Sequence, residues 1–249
     1  MRIKKNKARF VNITILIDDF DGVEHGFIKS YGFAALIVIN NKKILFDTGT
    51  KIQPLLLNFK TYEVSPSSLD AVILSHNHYD HTDGLPGILK ENKNIPVYVH
   101  RDWDAQESHK GITVPKKNQV ILEKGREISE ISPGLFLTNS LWSSDYGGIH
   151  EQALFIKTNE SYILLCGCCH PGLSAILKER TNLGIHLNTP LHIIGGMHGF
   201  KFSNEKAKQL NPMLKSVILC HCTKNAQNFK KQFGDKCFVG IVGKKYKFS

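Results

Sequence analysis

Three histidines and one aspartate fall within six residues at Ser75-His76-Asn77-His78-Tyr79-Asp80-His81, in the order His-x-His-x-Asp-His. Imidazole and carboxylate are ligands for zinc and other first-row divalent ions. Crowding them together is unfavourable unless something bound offsets the desolvation. A polar loop of solvated histidines is the structural alternative, but the flanks favour a metal site. Ala71-Val72-Ile73-Leu74 is a short apolar run expected as a buried strand, and residues 84–90 follow as the opening of a helix. The motif is therefore placed on a strand-to-helix loop at the carboxyl end of a strand, where sites form in layered α/β folds. In an extended approach His76 and His78 point the same way and can share one ion. Asp80 and His81 lie beyond the reversal, where they can face a second.

The rest of the chain supplies strands and helices in an order that suits two sheets with outer helices. Residues 10–17 alternate apolar residues with Asn12 and Thr14, behind the basic start Met1-Arg2-Ile3-Lys4-Lys5. Asp18 and Asp19 stand where a leader peptide would need small residues, so a first strand is expected rather than a signal sequence. Residues 34–39 and 43–46 flank Asn40-Asn41, a tight hairpin turn. Further strands are expected over 96–100, 119–122, 134–138, 152–157, 161–166, 191–194 and 216–219. Helices are expected over 54–60, 173–180, 204–210 and 223–233, with a loop at 139–148 dividing the halves. At 249 residues, 41% hydrophobic and 22% charged, the chain has the mass and composition for one domain over 1–249. No apolar run approaches the length of a membrane span.

With these elements in place, the chain resembles the metallo-β-lactamase superfamily, whose members usually hold two metal ions between two β-sheets. The 76–81 run looks like its signature. Ile44-Leu45-Phe46-Asp47-Thr48-Gly49 resembles its strand-ending Asp-Thr-Gly element. Residues 163–172, Ile-Leu-Leu-Cys-Gly-Cys-Cys-His-Pro-Gly, resemble a second metal-bearing strand, and Leu219-Cys220-His221-Cys222-Thr223 its terminal histidine element. The similarity runs from about 14 to about 242. A narrower resemblance is carried by residues 14–19, 167–172, Gly195-Gly196-Met197-His198 and His221-Cys222-Thr223. It points to a subgroup containing the archaeal dihydropterin synthases that join a pterin to ribofuranosyl-aminobenzene phosphate. What the resemblance implies is an α/β fold of the αββα sandwich type, two β-sheets flanked by outer helices. It also implies a metal-dependent hydrolase or a synthase-like transferase, although fold is inherited more safely than reaction.

The ligand set implied is His76, His78 and His170 for one ion and Asp80, His81 and His221 for the other. Each set would leave a position open for water. Zinc is expected, with iron or manganese as alternatives. One departure from the superfamily stands out. Where most members carry an aspartate that bridges the metals, this chain has Cys168. Its thiolate can ligate or its thiol can stand by, and the second is favoured because buried cysteines more often pack than coordinate. Asp47 either orients a ligating imidazole or stabilises the Thr48-Gly49 turn. His198, behind Gly195-Gly196, is expected to touch substrate or donate a proton, against a purely structural turn. His150 is a weaker substitute for His170, and His100, His109, His186 and His192 carry no pattern. Asp80 is expected to orient the attacking water of a hydrolytic reaction. In a synthase-like reaction the same metals would hold a pyrophosphate leaving group while a pterin carbon is attacked.

Six cysteines, Cys166, Cys168, Cys169, Cys220, Cys222 and Cys237, are expected as reduced thiols in a cytoplasm, packed under the site. A thiolate zinc site made from the first five ranks below the histidine site, since Cys-x-x-Cys knuckles are missing and strand alternation would split the thiols between faces. The net charge of +10 is spread in lysine doublets, which suits a solvated basic surface and attraction of a small anionic substrate. Nucleic acid and membrane are not expected as partners. A nuclease of the same fold and a non-catalytic metal sensor stay open beside the small-molecule enzyme.

Overall fold

A computed structural model of the chain describes residues 10–105 and 108–249. The basic start, with Lys4, Lys5 and Lys7, lies outside the described residues. Runs rich in isoleucine, valine and leucine form the first sheet: β1 (Val11–Ile17), β2 (Ala34–Ile39), β3 (Lys42–Phe46), β4 (Ala71–Ile73), β5 (Val97–His100) and β6 (Gln119–Leu122), side by side in that order. β7 (Arg126–Glu127) and β8 (Leu135–Leu137) open the second sheet, and β9 (Leu141–Ser143) pairs with β10 (Ile149–Glu151) in a separate ribbon. β11 (Leu154–Lys157), β12 (Tyr162–Cys166), β13 (Leu191–Gly195), β14 (Leu214–Leu219) and β15 (Cys237–Val239) complete the second sheet, in the order β15-β14-β13-β12-β11-β8-β7. β16 (Lys245–Phe248) returns to the first sheet, antiparallel to β1.

Strand alternation decides which side chains meet. On β12, Ile163 and Leu165 join the layer between the sheets, while Leu164 and Cys166 face the outer layer. The inner layer draws Ile13, Ile37 and Phe46 from the first sheet and Leu154, Ile194 and Ile218 from the second. Outside the first sheet, Leu55 and Phe59 of α1 (Ile52–Thr61) pack with Leu85 and Ile88, beyond the single helical turn α2 (Tyr79–Thr82), on α3 (Leu85–Glu91). Outside the second, α4 (Leu173–Asn182), α5 (Asn204–Leu210) and α6 (Ala226–Phe233) contribute Ile176, Leu210 and Phe229. The i, i+4 spacing of Leu55 and Phe59 puts both on one buried stripe. Each such side chain contributes about 1.5–3 kcal/mol on burial. The result is the expected αββα sandwich.

Three details differ from expectation. The 139–148 segment is not a plain loop: it contains β9 and carries a 3-10 turn over Asp145–Gly147. Its strand is only three residues long, and exposed Trp142 hides any alternation. α6 starts at Ala226 rather than 223, because Thr223 instead turns its hydroxyl back to the Cys220 carbonyl at 2.7 Å. β15 and β16 were not expected. Lys-Tyr-Lys-Phe lies on an edge, where lysine guards against pairing with another sheet and blurs the apolar signal. Among the described residues, no helix is long and apolar enough to cross a membrane.

Candidate metal centre

The carboxyl ends of six strands bring the polar residues to one rim. Asp18 and Asp19 follow β1, Asp47 follows β3, the 76–81 motif follows β4, Cys168 and His170 follow β12, His198 follows β13, and His221 follows β14. Two features hold the loops of the two sheets together. Gln152 donates its amide to the Leu74 carbonyl at 2.8 Å and its backbone N–H to Ser75 at 2.9 Å. Gly167 packs so tightly that a Cβ there would lie 2.1 Å from Ser75 Oγ, so only glycine admits the β12 loop.

His76, His78 and His170 form one cluster, their rings 4.6–5.1 Å apart. A hydrogen-bond relay sets the tautomer of the first. Asp47 Oδ2 accepts from Ser75 Oγ at 2.8 Å, so the hydroxyl must accept from His76 Nδ1 at 2.9 Å. That leaves a lone pair on His76 Nε2, which lies 3.0 Å from His78 Nδ1. His170 donates Nδ1 to Asp145 at 3.0 Å. Buried Nε2 atoms of both His78 and His170 meet no hydrogen-bond partner. Burial, reinforced by the neighbouring imidazoles, pushes His76 well below the usual histidine range and His78 down to about 3. Neutral rings with inward lone pairs and unpartnered buried nitrogens suit a divalent cation, since such groups are otherwise unfavourable in a protein interior.

Asp80, His81, His221 and Cys168 form the second cluster. His81 donates Nδ1 to Asp47 at 2.7 Å and directs Nε2 to Cys168 Sγ at 3.1 Å. Asp47 thus anchors an imidazole and not merely its own turn. His221 stands between two carboxylates, with Nδ1 2.5 Å from Asp19 and Nε2 2.9 Å from Asp80. Burial opposes charge on this ring, but Asp19 and Asp80 outweigh it and push His221 up to about 10. Burial likewise opposes ionisation of Asp80, and His81 and His221 overcome it, holding the carboxyl well below its usual range. The donor set is two nitrogens, an oxygen and a sulfur, all suited to a first-row divalent ion. Cys168 therefore faces the cluster, in the place where the superfamily resemblance implies a bridging aspartate.

Several residues that shape this site carry no pattern in the sequence. Glu151 accepts three backbone N–H groups, from Cys168 and Cys169 at 3.0 and 2.8 Å and from His170 at 2.7 Å, and so fixes the loop after β12. Asp145 reaches His170 and lies 3.3 Å from His198 Nδ1. Tyr146, in the left-handed region at φ 50°, covers the rings of His78 and His170. His109 joins the wall, 4.8 Å from Tyr146, although nothing in its surroundings along the chain marks it. His198 lies in the cleft wall. His150 does not join the clusters and sits beside His100 and Asp102. The thiolate-only site is not assembled: Cys166 and Cys169 belong to the outer layer and Cys220 to the inner one.

Two face-to-face sheets between helices, with histidine, aspartate and cysteine gathered at the strand ends, define an αββα sandwich able to hold divalent metal. Residues 29–149 match the metallo-beta-lactamase superfamily. Over the whole of both chains, the sequence is 30% identical to the 7,8-dihydropterin-6-methyl-4-(beta-D-ribofuranosyl)-aminobenzene-5'-phosphate synthase of Methanocaldococcus jannaschii. Among solved structures it is similar to Tm1679, described as a metal-dependent hydrolase of the beta-lactamase superfamily, with a TM-score of 0.72 and 24% identity over 96% of this chain and 99% of that one. The metallo-beta-lactamase fold protein YhfI from Bacillus subtilis gives a TM-score of 0.66 at 16% identity, over 97% of this chain and 100% of that one. The chain belongs to the metallo-β-lactamase superfamily.

Proposed function

We propose that this chain is a dinuclear metal-dependent enzyme acting on a small anionic substrate, phosphorylated or pterin-like, by hydrolysis or by a synthase-like transfer. The observation that carries it is the pair of donor clusters sharing one cleft, with His78 Nε2 and His170 Nε2 buried and unpartnered. His76, His78 and His170 would hold one ion, and Asp80, His81 and His221, with Cys168, the other. Bound divalent ions would bring the pKa of water toward neutrality and polarise a phosphoryl or carbonyl oxygen.

The chain's own residues do the rest. Asp80 would accept a hydrogen bond from the attacking water and orient it. His198, with Nδ1 beside Asp145, presents its ring to the substrate. The cleft has a volume of about 340 Å³ and is walled by Tyr31, Tyr79, His109 and Tyr146, with Lys224 at its side. That is near the lower end of the roughly 300–1,000 Å³ of small-ligand sites, and suits a planar ring carrying an anionic group. Support for a pterin-like substrate comes from the likeness to the archaeal synthase. The net charge of +10 favours an anion. Six free cysteines suit a reducing cytoplasm.

The test loads the chelator-treated chain separately with zinc, iron or manganese. Each form is then offered phosphoesters, thioesters, lactams and a dihydropterin pyrophosphate with ribofuranosyl-aminobenzene phosphate. Turnover on one anionic class, abolished by chelator, is expected. Bound metal without turnover on any of them would favour a sensing protein. Salt-sensitive binding of RNA or DNA with cleavage would favour a nuclease.

A further inference from the structure

Cys168 and Cys222 bring their sulfur atoms to 3.1 Å from each other. A disulfide needs about 2.05 Å, so roughly 1 Å of approach separates the two thiols from a bond. The pair comes from loops after β12 and β14, which β13 separates within the sheet. They meet because Gly196, just past β13, has no side chain. A Cβ there would lie 2.4 Å from the Gly167 carbonyl oxygen, 2.6 Å from that of His221 and 2.7 Å from Cys222 Sγ. Cys222 also adopts the left-handed backbone at φ 58°, which residues with a side chain rarely do.

We infer that Cys168 and Cys222 form a reversible disulfide that removes the Cys168 sulfur from the Asp80, His81 and His221 cluster. The inference rests on the dinuclear centre proposed above, with Cys168 as a donor to the second ion. Access separates this pair from the other cysteines. Cys222 is partly exposed, and both Cys168, itself buried, and Cys222 belong to the cleft lining. Cys166 and Cys169 are buried in the apolar outer layer. A small hydroperoxide entering the cleft meets Cys222 first. Its thiolate sulfur attacks the O–O bond, giving a sulfenic acid, and the departing oxygen takes up the proton that the thiol released and leaves as water, or as an alcohol from an organic peroxide. The Cys168 sulfur then attacks the sulfenic sulfur, the S–S bond forms, and the hydroxyl leaves as water with the Cys168 proton. Two thiols are oxidised by two electrons and the peroxide is reduced. Metal ligation needs a thiolate, so the disulfide offers the second ion only Asp80, His81 and His221.

The test uses the full chain, chelator-treated, in reduced form and after brief exposure to hydrogen peroxide. Free thiols should fall from six in the reduced protein by one pair, and peptide mapping should join Cys168 to Cys222. Zinc titration should then show the second equivalent bound more weakly than in the reduced protein, and a dithiol reductant should restore its affinity. Cys222→Ser and Cys222→Ala should each give no crosslink while folding normally by circular dichroism. A crosslink elsewhere, no crosslink, or a Cys168–Cys222 crosslink with unchanged affinity for the second zinc would each overturn the inference. The dinuclear proposal fails separately, if the reduced protein itself takes up no second equivalent.

Discussion

Asp47 and His81 meet with no solvent exposure, Oδ2 lying 2.7 Å from the imidazole Nδ1. The same oxygen accepts from Ser75, whose hydroxyl sets the His76 tautomer, so one carboxylate orients a ring in each cluster. Such partners fix ligand basicity, and their loss lowers metal affinity about 10–100-fold. Asp47→Asn should weaken both equivalents by that order while leaving the fold near native, as zinc competition titration with circular dichroism would reveal. Unchanged affinity would reduce Asp47 to a turn residue.

His78 and His221 belong to different clusters. His78→Ala and His221→Ala should each lower bound metal by about one equivalent and remove most activity, with secondary structure retained. Elemental analysis of protein purified without chelator reads this directly. A variant that keeps full metal content and full activity would show that its residue is not a ligand.

Glu151 serves three backbone N–H groups with two oxygens in a buried position. Glu151→Ala leaves them without an acceptor, and a buried unsatisfied donor costs about 1–3 kcal/mol. A loss on the order of 3 kcal/mol or more is therefore expected in denaturant unfolding, together with weaker metal binding through misplaced Cys168 and His170. A variant as stable as the parent would mean that the loop after β12 holds itself.

The imidazole of His192, at the start of β13 and so at the other end of that strand from the clusters, lies 2.8 Å from the Ser216 hydroxyl and against the Phe248 ring. Burial, with Lys215 adding to it, pushes this histidine down to about 4. The unfolded chain takes up this proton near the ordinary value of about 6.5, so it binds more protons than the folded state between these limits. Stability from this group is full above about 6.5 and is lost as pH falls toward 4. His192→Gln should flatten that part of the stability curve in metal-loaded protein, whereas an unchanged slope would place the titration elsewhere.

Much of the two clusters was legible because their residues sit in short runs at strand ends. Short apolar runs marked β4, β12 and β14, and the polar residues just beyond them had one rim to occupy. Asn40 and Asn41 both take positive φ, 49° and 64°, as the hairpin turn requires. The anchors were not legible. His221 and Asp19 are 202 residues apart, and His170 and Asp145 are 25 apart across a segment with no periodicity. Such pairs exist only once the sheets have packed. Cys168 and Cys222 show the same limit: strand alternation argued for separate faces, but both lie past the strand ends, where alternation no longer governs direction.

Two ions are expected to occupy the two donor sets of the one cleft. Anomalous diffraction from crystals of the zinc-loaded chain tests it most directly. Two peaks are expected, one within about 2.0–2.1 Å of nitrogens of His76, His78 and His170, and one at ligand distance from Asp80, His81 and His221. Zinc absent from this cleft, or a single ion held by residues outside these sets, would contradict it.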